Sequence, residues 1–317
     1  MRFFWLLLVL ATPFTHSYLR LKLQNWFPRY EHHWIEASAS CQQELTNYLV
    51  DNRTLECAAP CACAADCILQ NITGTMQSNL NSAQVLLGLA PAMLVFLGPS
   101  LAEVAALSTY KPLLAVLLAL GSPAVNVSRL FRHVDICEPF TRPISRSSAL
   151  WSTWLQGRRD VLQRSIHILS YVVALGAIAN HVRNSVYTDL RTISGWRCGA
   201  LFMPLAWGLL GVVVHAWGMI AVRCRLPREY KSTLRATIHS TAFQNVSMCE
   251  DDVVSEALFW VASFCAIIQM IFGILVLSSL VFISVFEAIS VFVLYAVSAV
   301  LCQFVLSLEL ANMRHDL

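Results

Sequence analysis

Charged side chains are scarce in this sequence and make up only 13% of its 317 residues, about half the share that is typical of soluble domains. Hydrophobic residues account for 57% of the chain and gather in runs close to twenty residues long. In lipid, helices of about this length satisfy every backbone polar group internally. We therefore predict an all-α polytopic membrane protein of five to six transmembrane helices, with the lipid bilayer as its first partner.

The sequence also lacks the motifs of common catalytic and nucleotide sites. It contains no P-loop, no H-E-x-x-H, no G-x-S-x-G and no G-x-G-x-x-G. The net charge of +3 is small, and no basic face interleaved with aromatics is present, which excludes a nucleic-acid partner. Transporter repeat halves with matched broken helices are not obvious. No cofactor is predicted.

The N-terminus has the pattern of a secretory signal. Arg2 precedes a short apolar core, and Thr15 and Ser17 are small enough for a cleavage site. A core this short suits a signal peptide over residues 1–17 better than a spanning helix, and an uncleaved anchor is the alternative. In both cases residues 18–82 would begin in the lumen, and we expect a multi-pass protein of the secretory pathway, in the endoplasmic reticulum or the plasma membrane.

Residues 18–82 are predicted to form a small Cys-rich lumenal domain. A cysteine cluster in the secretory pathway indicates disulfides rather than metal, since the C-x2-C knuckles of zinc sites are missing. The five candidates are Cys41, Cys57, Cys61, Cys63 and Cys67. Five is odd, so one thiol is left over or pairs elsewhere. The neighbours His32 and His33 could bind a metal, but such pairs are usually solvated, and we predict no metal site.

Two sequons flank the cysteine cluster, Asn52-Arg-Thr and Asn71-Ile-Thr. In a lumenal segment both are glycosylation candidates. Two more sequons begin at Asn126 and Asn245. In the topology favoured below they would face the cytosol, and we expect them to stay unmodified.

Residues 83–317 are predicted to form the transmembrane domain. Its apolar runs cover residues 83–107, 112–127, 166–180, 197–222, 257–278 and 285–307. The last two runs form a block too long for one crossing. We expect a tight helical hairpin there that turns near Ser278, Ser279 and Ser284.

The number of crossings within residues 83–127 decides the side of every later loop. Thirteen basic residues lie in loops 128–165 and 223–252 and in the C-terminal tail. Two crossings would place all of them in the lumen, against the positive-inside rule. Residues 112–127 are short, and the break at Gly121-Ser-Pro suits a re-entrant or strongly tilted half-helix buried against its neighbours. We therefore predict a net single crossing, which places the basic loops in the cytosol and the short loop 181–195 on the lumenal side.

A stretch of about 45 residues resembles a large group of functionally uncharacterised fungal multi-pass membrane proteins. The resemblance rests on "SAQVLLGLAP" from Ser82, on an "LG" followed by the acidic Glu103, and on "KPLLAVLLALGSPA" from Lys111 to Ala124. It is weaker over residues 214–225, and the group usually has Arg where this chain has Lys111. Its members often lie beside secondary-metabolite genes. The resemblance therefore implies a biological setting but no reaction.

Ionisable side chains inside apolar runs are the candidate sites, because they are costly in lipid. Glu103 is either an interfacial carboxylate near the Lys-Pro turn or an acid kept protonated by apolar surroundings. His215 lies among glycines at helical spacing, where it either packs helices or lines a cavity with Trp207 and Trp217. Glu287 would be hydrated by water if it lies near the turn of the last hairpin, and it would need a hydrogen-bonding or charged partner if it lies deeper in the membrane.

Other ionisable residues lie at the edges of the apolar runs. His167 and His181 are expected to face the headgroups at opposite ends of the third run. Asp252 and Glu256 share a helix face before the fifth run. Paired carboxylates can hold Mg²⁺, but a lone cluster at a helix start usually caps the helix dipole, which is the interpretation we favour.

Two roles stay open, and the sequence favours the non-enzymatic one. It is an accessory membrane protein of a fungal secondary-metabolite gene cluster that serves as a scaffold, or in transport or sensing. Its partners would be a lipophilic small molecule or other membrane-bound biosynthetic proteins. The alternative is a membrane-embedded enzyme, such as a terpene cyclase with a carboxylic acid as proton donor. It needs Glu103 or Glu287 in a closed apolar cavity near His215.

Overall fold

The structure is a computed structural model, and it describes residues 22–53, 57–126, 160–196, 198–225 and 253–315. The predicted signal peptide, most of the loops 128–165 and 223–252, the sequon at Asn245 and the carboxylate of Asp252 lie outside the described residues. Within them lie ten α-helices and one two-stranded sheet.

Three short helices precede the first long one. They are α1 (Glu31–Ala39), α2 (Gln42–Val50) and α3 (Pro60–Gln70). Helix α2 ends at Asp51, whose φ of 57° lies in the left-handed region that closes many helices. Helix α3 begins with Pro60, where a missing N–H costs nothing because the first turn has no partner for it.

Five helices are long and apolar enough to cross a membrane. They are α4 (Gly74–Leu97), α7 (Asp160–Arg191), α8 (Met203–Arg225), α9 (Val253–Ser278) and α10 (Val285–His315). Large apolar side chains on them are exposed, such as Phe96 at 75% and Ile168 at 65%. A soluble monomer rarely exposes an apolar surface of this extent. The prediction of an all-α polytopic membrane protein is confirmed.

Two ten-residue helices, α5 (Leu101–Tyr110) and α6 (Pro112–Gly121), follow α4. The apolar run 83–107 is therefore not one continuous helix. It breaks at residues 98–100, where Pro99 has no N–H for a helical bond and the Ser100 hydroxyl accepts the first-turn N–H of Glu103 at 3.2 Å. At 1.5 Å per residue, α5 and α6 are each about 15 Å long, too short to cross a bilayer alone.

The chain divides into two compact units. The first comprises Met1–Ala90, Arg183–Ala206 and Gly273–Val293, and the second comprises Pro91–Val182, Trp207–Phe272 and Leu294–Leu317. The first unit therefore takes in more than the Cys-rich segment predicted over residues 18–82. That predicted boundary also falls inside α4, which already begins at Gly74.

An aromatic core holds the first unit together. Trp34 of α1 is 1% exposed, and its ring lies 5.7 Å from Trp26 and 5.0 Å from Phe282. Phe282 comes from the turn between α9 and α10. Next to it, strand β1 (Ile193–Ser194) pairs antiparallel with β2 (Leu280–Val281). The turn between the last two helices falls where the serines predicted it.

The second unit has its core around α6. Leu114 and Leu118 of α6 are fully buried in a cluster that includes Ala177 of α7 and Leu306 of α10. The opposite face of α6 exposes Leu113 at 62%, which suits contact with lipid. Helix α6 is therefore packed against spanning helices on one side, as predicted for a re-entrant segment.

Helix α7 continues to Arg191, through a stretch that we predicted as the loop 181–195. That prediction was wrong because polar side chains in this stretch bond inside the protein rather than to water. Asn184 donates to the carbonyl of Val291 at 3.0 Å, and Asp189 pairs with Lys22. In this stretch the low density of apolar residues therefore did not indicate a loop.

A disulfide between Cys61 and Cys198 constrains the number of crossings between these two residues. Cys61 precedes α4, and Cys198 lies between α7 and α8. Both cysteines must lie on one side of the membrane, so the chain between them crosses an even number of times. Where α7 crosses once and residues 127–159 stay on one side, residues 74–126 cross once, which is the predicted net single crossing. That the shared side is the lumen stays a prediction.

Candidate functional site

Two helix interruptions meet inside the second unit. The N–H of Asn126 donates to the carbonyl of Pro99 at 3.1 Å, and Ser100 and Asn126 form an isolated parallel bridge. Residues 98–100 and 121–126 together form what we term the helix-break site. Irregular backbone is tolerated at membrane depth only where it is buried in protein or lines a water-filled cavity, and residues 121–125 are buried.

Side chains from neighbouring helices satisfy carbonyl groups of this irregular backbone. Gln269 of α9 donates to the carbonyl of Pro123 at 2.9 Å. His181 of α7 donates through Nδ1 to the carbonyl of Leu120 at 3.0 Å. The expectation that His181 faces the headgroups was wrong, because its ring is 2% exposed and bonds to the end of α6. Both polar side chains hold the break in one conformation.

Glycines of α8 allow this break to pack closely against that helix. A Cβ atom at Gly211 would lie 3.4 Å from Nε2 of Gln269, and one at Gly218 would lie 2.6 Å from Cδ1 of Leu101. Gly211 therefore faces α9 and Gly218 faces the start of α5. The sequence-based proposal that small residues of α8 mark close helix contacts is confirmed at Gly218, whereas the contact at Gly211 has an ordinary van der Waals distance.

His215 lies between these two glycines on the same side of α8. It follows Gly211 by four residues and precedes Gly218 by three, which places all three on one helix face. Its side chain is 1% exposed, and neither ring nitrogen has a hydrogen-bond partner among the described residues. His215 is about 18 Å from the start of α8, near the middle of this 23-residue helix.

The other aromatic residues of α8 lie elsewhere. Trp207 is fully buried and meets the ring of Tyr295 edge-on at 5.6 Å. His181 also lies against Tyr295, with ring centroids 5.9 Å apart. Trp217 is half-buried. Trp207 therefore packs against α10, which is a different contact from the cavity wall beside His215 that we had considered.

The three candidate ionisable residues do not belong to one unit. Glu103 and His215 lie in the second unit and Glu287 lies in the first. Glu103 is half-buried in the first turn of α5. Glu287 is 7% exposed, so it is not wet as one alternative had it. Neither carboxylate oxygen of Glu287 has a hydrogen-bond partner among the described residues. The guanidinium of Arg29 lies 4.1 Å over the ring of the neighbouring Phe286.

A buried ion pair fixes the turn between α5 and α6. Lys111 Nζ lies 2.6 Å from Oε2 of Glu309 and 2.9 Å from Nδ1 of His167. The side chains of Lys111 and Glu309 are 9% and 3% exposed. Lys111 thus finds its carboxylate near the end of α10 rather than at Glu103, close to which we had placed it. Sequence reasoning missed Glu309, although an unpaired lysine inside an apolar stretch signalled that a partner was needed.

A second buried pair lies in the first unit. Lys22 donates to Oδ1 of Asp189 at 3.1 Å and to the carbonyl of Ala200 at 3.0 Å. Burial holds the pKa of Lys22 below its ordinary value, and the adjacent Asp189 carboxylate offsets part of that shift. The pair fastens the segment before α1 to the end of α7, and nothing in the sequence pattern pointed to it.

All five predicted cysteines form disulfides. The bonds are Cys41–Cys67, Cys57–Cys63 and Cys61–Cys198. The odd thiol therefore pairs elsewhere, as one of the two alternatives stated. Cys198 was missed as its partner because we had placed it in the apolar run 197–222; the available signal was its position three residues after the short loop 181–195, which was predicted to face the same side.

The sequons differ in accessibility. Asn52 and Asn71 are exposed, as glycosylation would require, and their modification stays a prediction. Asn71 already donates to the carbonyl of Cys67 at 2.9 Å. Asn126 is half-buried in the helix-break site, where its backbone takes part in the pairing with Pro99.

The fold and the helix-break site define a multi-pass α-helical membrane protein with a disulfide-bonded N-terminal region and a pair of short, interrupted helices. No known protein family, curated protein or solved structure matches the chain.

Proposed function

We propose that this chain is an accessory membrane protein that binds a lipophilic small molecule at the helix-break site, in transport or sensing. The observation that carries the proposal is the buried, unpartnered ring of His215 on the helix that packs against the break. A buried polar group without a partner calls for an explanation, and an ionisable residue inside a membrane is a functional candidate by default. Interrupted helices are where many transporters hold their substrates.

The surroundings of His215 indicate the chemistry of the molecule. The preceding residue, Val214, packs in an apolar cluster with Val125 of the break and Ala266 of α9. The charged groups Lys111 and Glu309 already neutralise each other. A ligand here would therefore have an apolar body, with one hydroxyl or carbonyl group to hydrogen-bond with the imidazole.

The proposed setting is a fungal secondary-metabolite gene cluster, and it rests on the resemblance described above. The stretch from Ser82 to Ala124 that carries this resemblance contains α5, α6 and most of the helix-break site. Its "LG" at Gly98 and its "GSPA" at Gly121 are the two interruptions themselves. We infer that the pattern shared with the fungal group encodes the break, which would make the break part of a common function.

The enzymatic alternative needs a carboxyl group as proton donor beside His215. Of the two candidates, Glu103 shares the second unit with His215. Its backbone N–H bonds to the Ser100 hydroxyl, so it occupies the third position of α5, where a carboxylate also favours the helix dipole. Glu103 thus has a structural role that needs no catalysis, and the binding role remains our proposal.

The experiment compares metabolites in cells and medium for a deletion strain and for strains that carry point variants. His215→Ala should shift the distribution of a metabolite between cells and medium while the protein level holds. The matched control is Val213→Ala on the same helix, whose side chain is 48% exposed. Accumulation of an uncyclised precursor would instead support the enzyme. A normal protein level with an unchanged profile for His215→Ala would refute the binding role.

A further inference from the structure

Helix α1 has one buried face and one exposed face. Trp34 and Ala37 are 1% and 5% exposed and point into the core of the first unit. His32, His33 and Glu36 are exposed. One ligand atom from each of these three side chains lies within 4.8 Å of the other two, so the helix brings two imidazoles and a carboxylate together on its outer side.

This set of side chains has the chemistry of a zinc site. Two histidines and one glutamate are a ligand set that zinc uses, with bonds of about 2.0–2.2 Å and a fourth position left open. His32 and Glu36 are separated by four residues and His33 and Glu36 by three, the spacings that make helix residues neighbours. A shared ion would need its ligand atoms about 3–3.5 Å apart, which exposed side chains can reach by changing rotamer.

The three side chains are free to bind an ion, and their helix is held firmly. None of them makes a hydrogen bond or an ion pair within the part of the chain that the structure describes. The ring of His33 lies 6.0 Å from that of Tyr30 and 6.0 Å from that of His32, measured between centroids. Beneath them Trp34 stacks on Trp26. A fixed backbone lowers the cost of ordering ligands around a metal.

A groove adjoins this cluster. It has a volume of about 540 Å³, and its lining includes His33, Glu36, Tyr30, Asn71 and Thr73. A volume in this range fits a small-molecule ligand. An ion held by His33 and Glu36 would present its open position to the groove, where water or an anionic group could complete the coordination.

We propose that His32, His33 and Glu36 bind a zinc ion whose open coordination position faces this groove. The sequence-based expectation of no metal considered the histidine pair alone and overlooked Glu36, one helical turn further on. The proposal concerns the first unit and is independent of the role proposed for His215.

The test uses the full-length protein in detergent micelles, purified without a histidine tag and stripped with a chelator. Competition with a chromophoric chelator should show one Zn²⁺ bound per chain. His33→Ala and the isosteric Glu36→Gln should each weaken binding by at least about tenfold. The matched control is Glu31→Gln, which makes the same charge change on the same helix outside the cluster and should bind as the wild type does.

Cobalt provides a second measurement that reports on the ligands. Co²⁺ in the site should give weak visible bands without a thiolate-to-metal charge-transfer band, because the proposed ligands are nitrogen and oxygen. A strong charge-transfer band would assign the metal to cysteines and overturn the proposal. Undiminished Zn²⁺ binding in a His32→Ala, His33→Ala double variant would overturn it as well. Near-ultraviolet circular dichroism of the Trp34 cluster verifies that each variant is folded.

Discussion

Replacing Cys198 by Ser should release the N-terminal region from the loop between α7 and α8. The disulfide closes a loop with a sequence separation of 137 residues. In the chain-entropy description a loop of that length stabilises the folded state by about 5 kcal/mol. That figure is an upper value, because insertion in a membrane and the two other disulfides already restrict the unfolded chain.

The assay reads the covalent link directly. A site for a specific protease is introduced between residues 128 and 159, free thiols are blocked before lysis, and the cleaved protein is run on a gel without reductant. We expect the two fragments of the wild type to migrate as one species and to separate only when reductant is added. In Cys198→Ser they should separate under both conditions. Cys302→Ser, which removes a buried free thiol, is the control and should behave as the wild type does.

Separation of the wild-type fragments without reductant would show that Cys61 and Cys198 are not joined. The single crossing of residues 74–126 would then lose its main support, because the two cysteines would no longer have to share a side. Linked fragments that persist in Cys198→Ser would instead show that Cys61 has a different partner in the second fragment.

Three further predictions concern stability and modification. Endoglycosidase should shift the wild-type protein on a gel, and replacing both exposed sequon asparagines of the N-terminal region by Gln should abolish that shift. The absence of a shift in the wild type would contradict the lumenal assignment. Lys111→Met should lower the free energy of unfolding by about 3–5 kcal/mol, since it leaves Glu309 buried without its counter-charge. The double variant that also carries Glu309→Met should lose less stability. Equal losses of stability in denaturation curves would count against the pair. Gly218→Leu should lower the free energy of unfolding by about 1–3 kcal/mol or more, because the new side chain would clash with Leu101. The control is Gly176→Ala, which faces open space and should leave the stability unchanged. Similar melting temperatures for both variants would refute the close contact.

Apolar runs predicted the long helices well, because the length of a membrane crossing is fixed by the bilayer. The hairpin of α9 and α10 and the short, packed helix α6 followed from run length and from the positions of Ser and Pro. The end of α7 did not, since Asn184 and Asp189 look like loop residues until their partners are known. Those partners, Val291 and Lys22, lie more than one hundred positions away in the chain.

The candidate site was predictable in part. His215 stands out in the sequence as a titratable residue among glycines. The roles of His181 and Gln269 cannot be recognised in the sequence, because both residues donate hydrogen bonds to carbonyl groups that become available only where α6 ends. Local sequence identifies a polar residue whose burial is unfavourable, but tertiary packing decides which group becomes its hydrogen-bond partner.

The pairing of Cys61 with Cys198 has a consequence for biosynthesis. Translation at about 5–20 residues per second would make Cys198, which lies 137 positions later, follow Cys61 by roughly 7–27 s. If Cys41–Cys67 and Cys57–Cys63 close first, Cys61 waits as the one unpaired thiol of the five. During that interval it is open to capture by an oxidoreductase or by another nascent chain. An isolated N-terminal fragment would keep this thiol permanently and would also lack Phe282, so it should be secreted as disulfide-linked dimers rather than as a folded module.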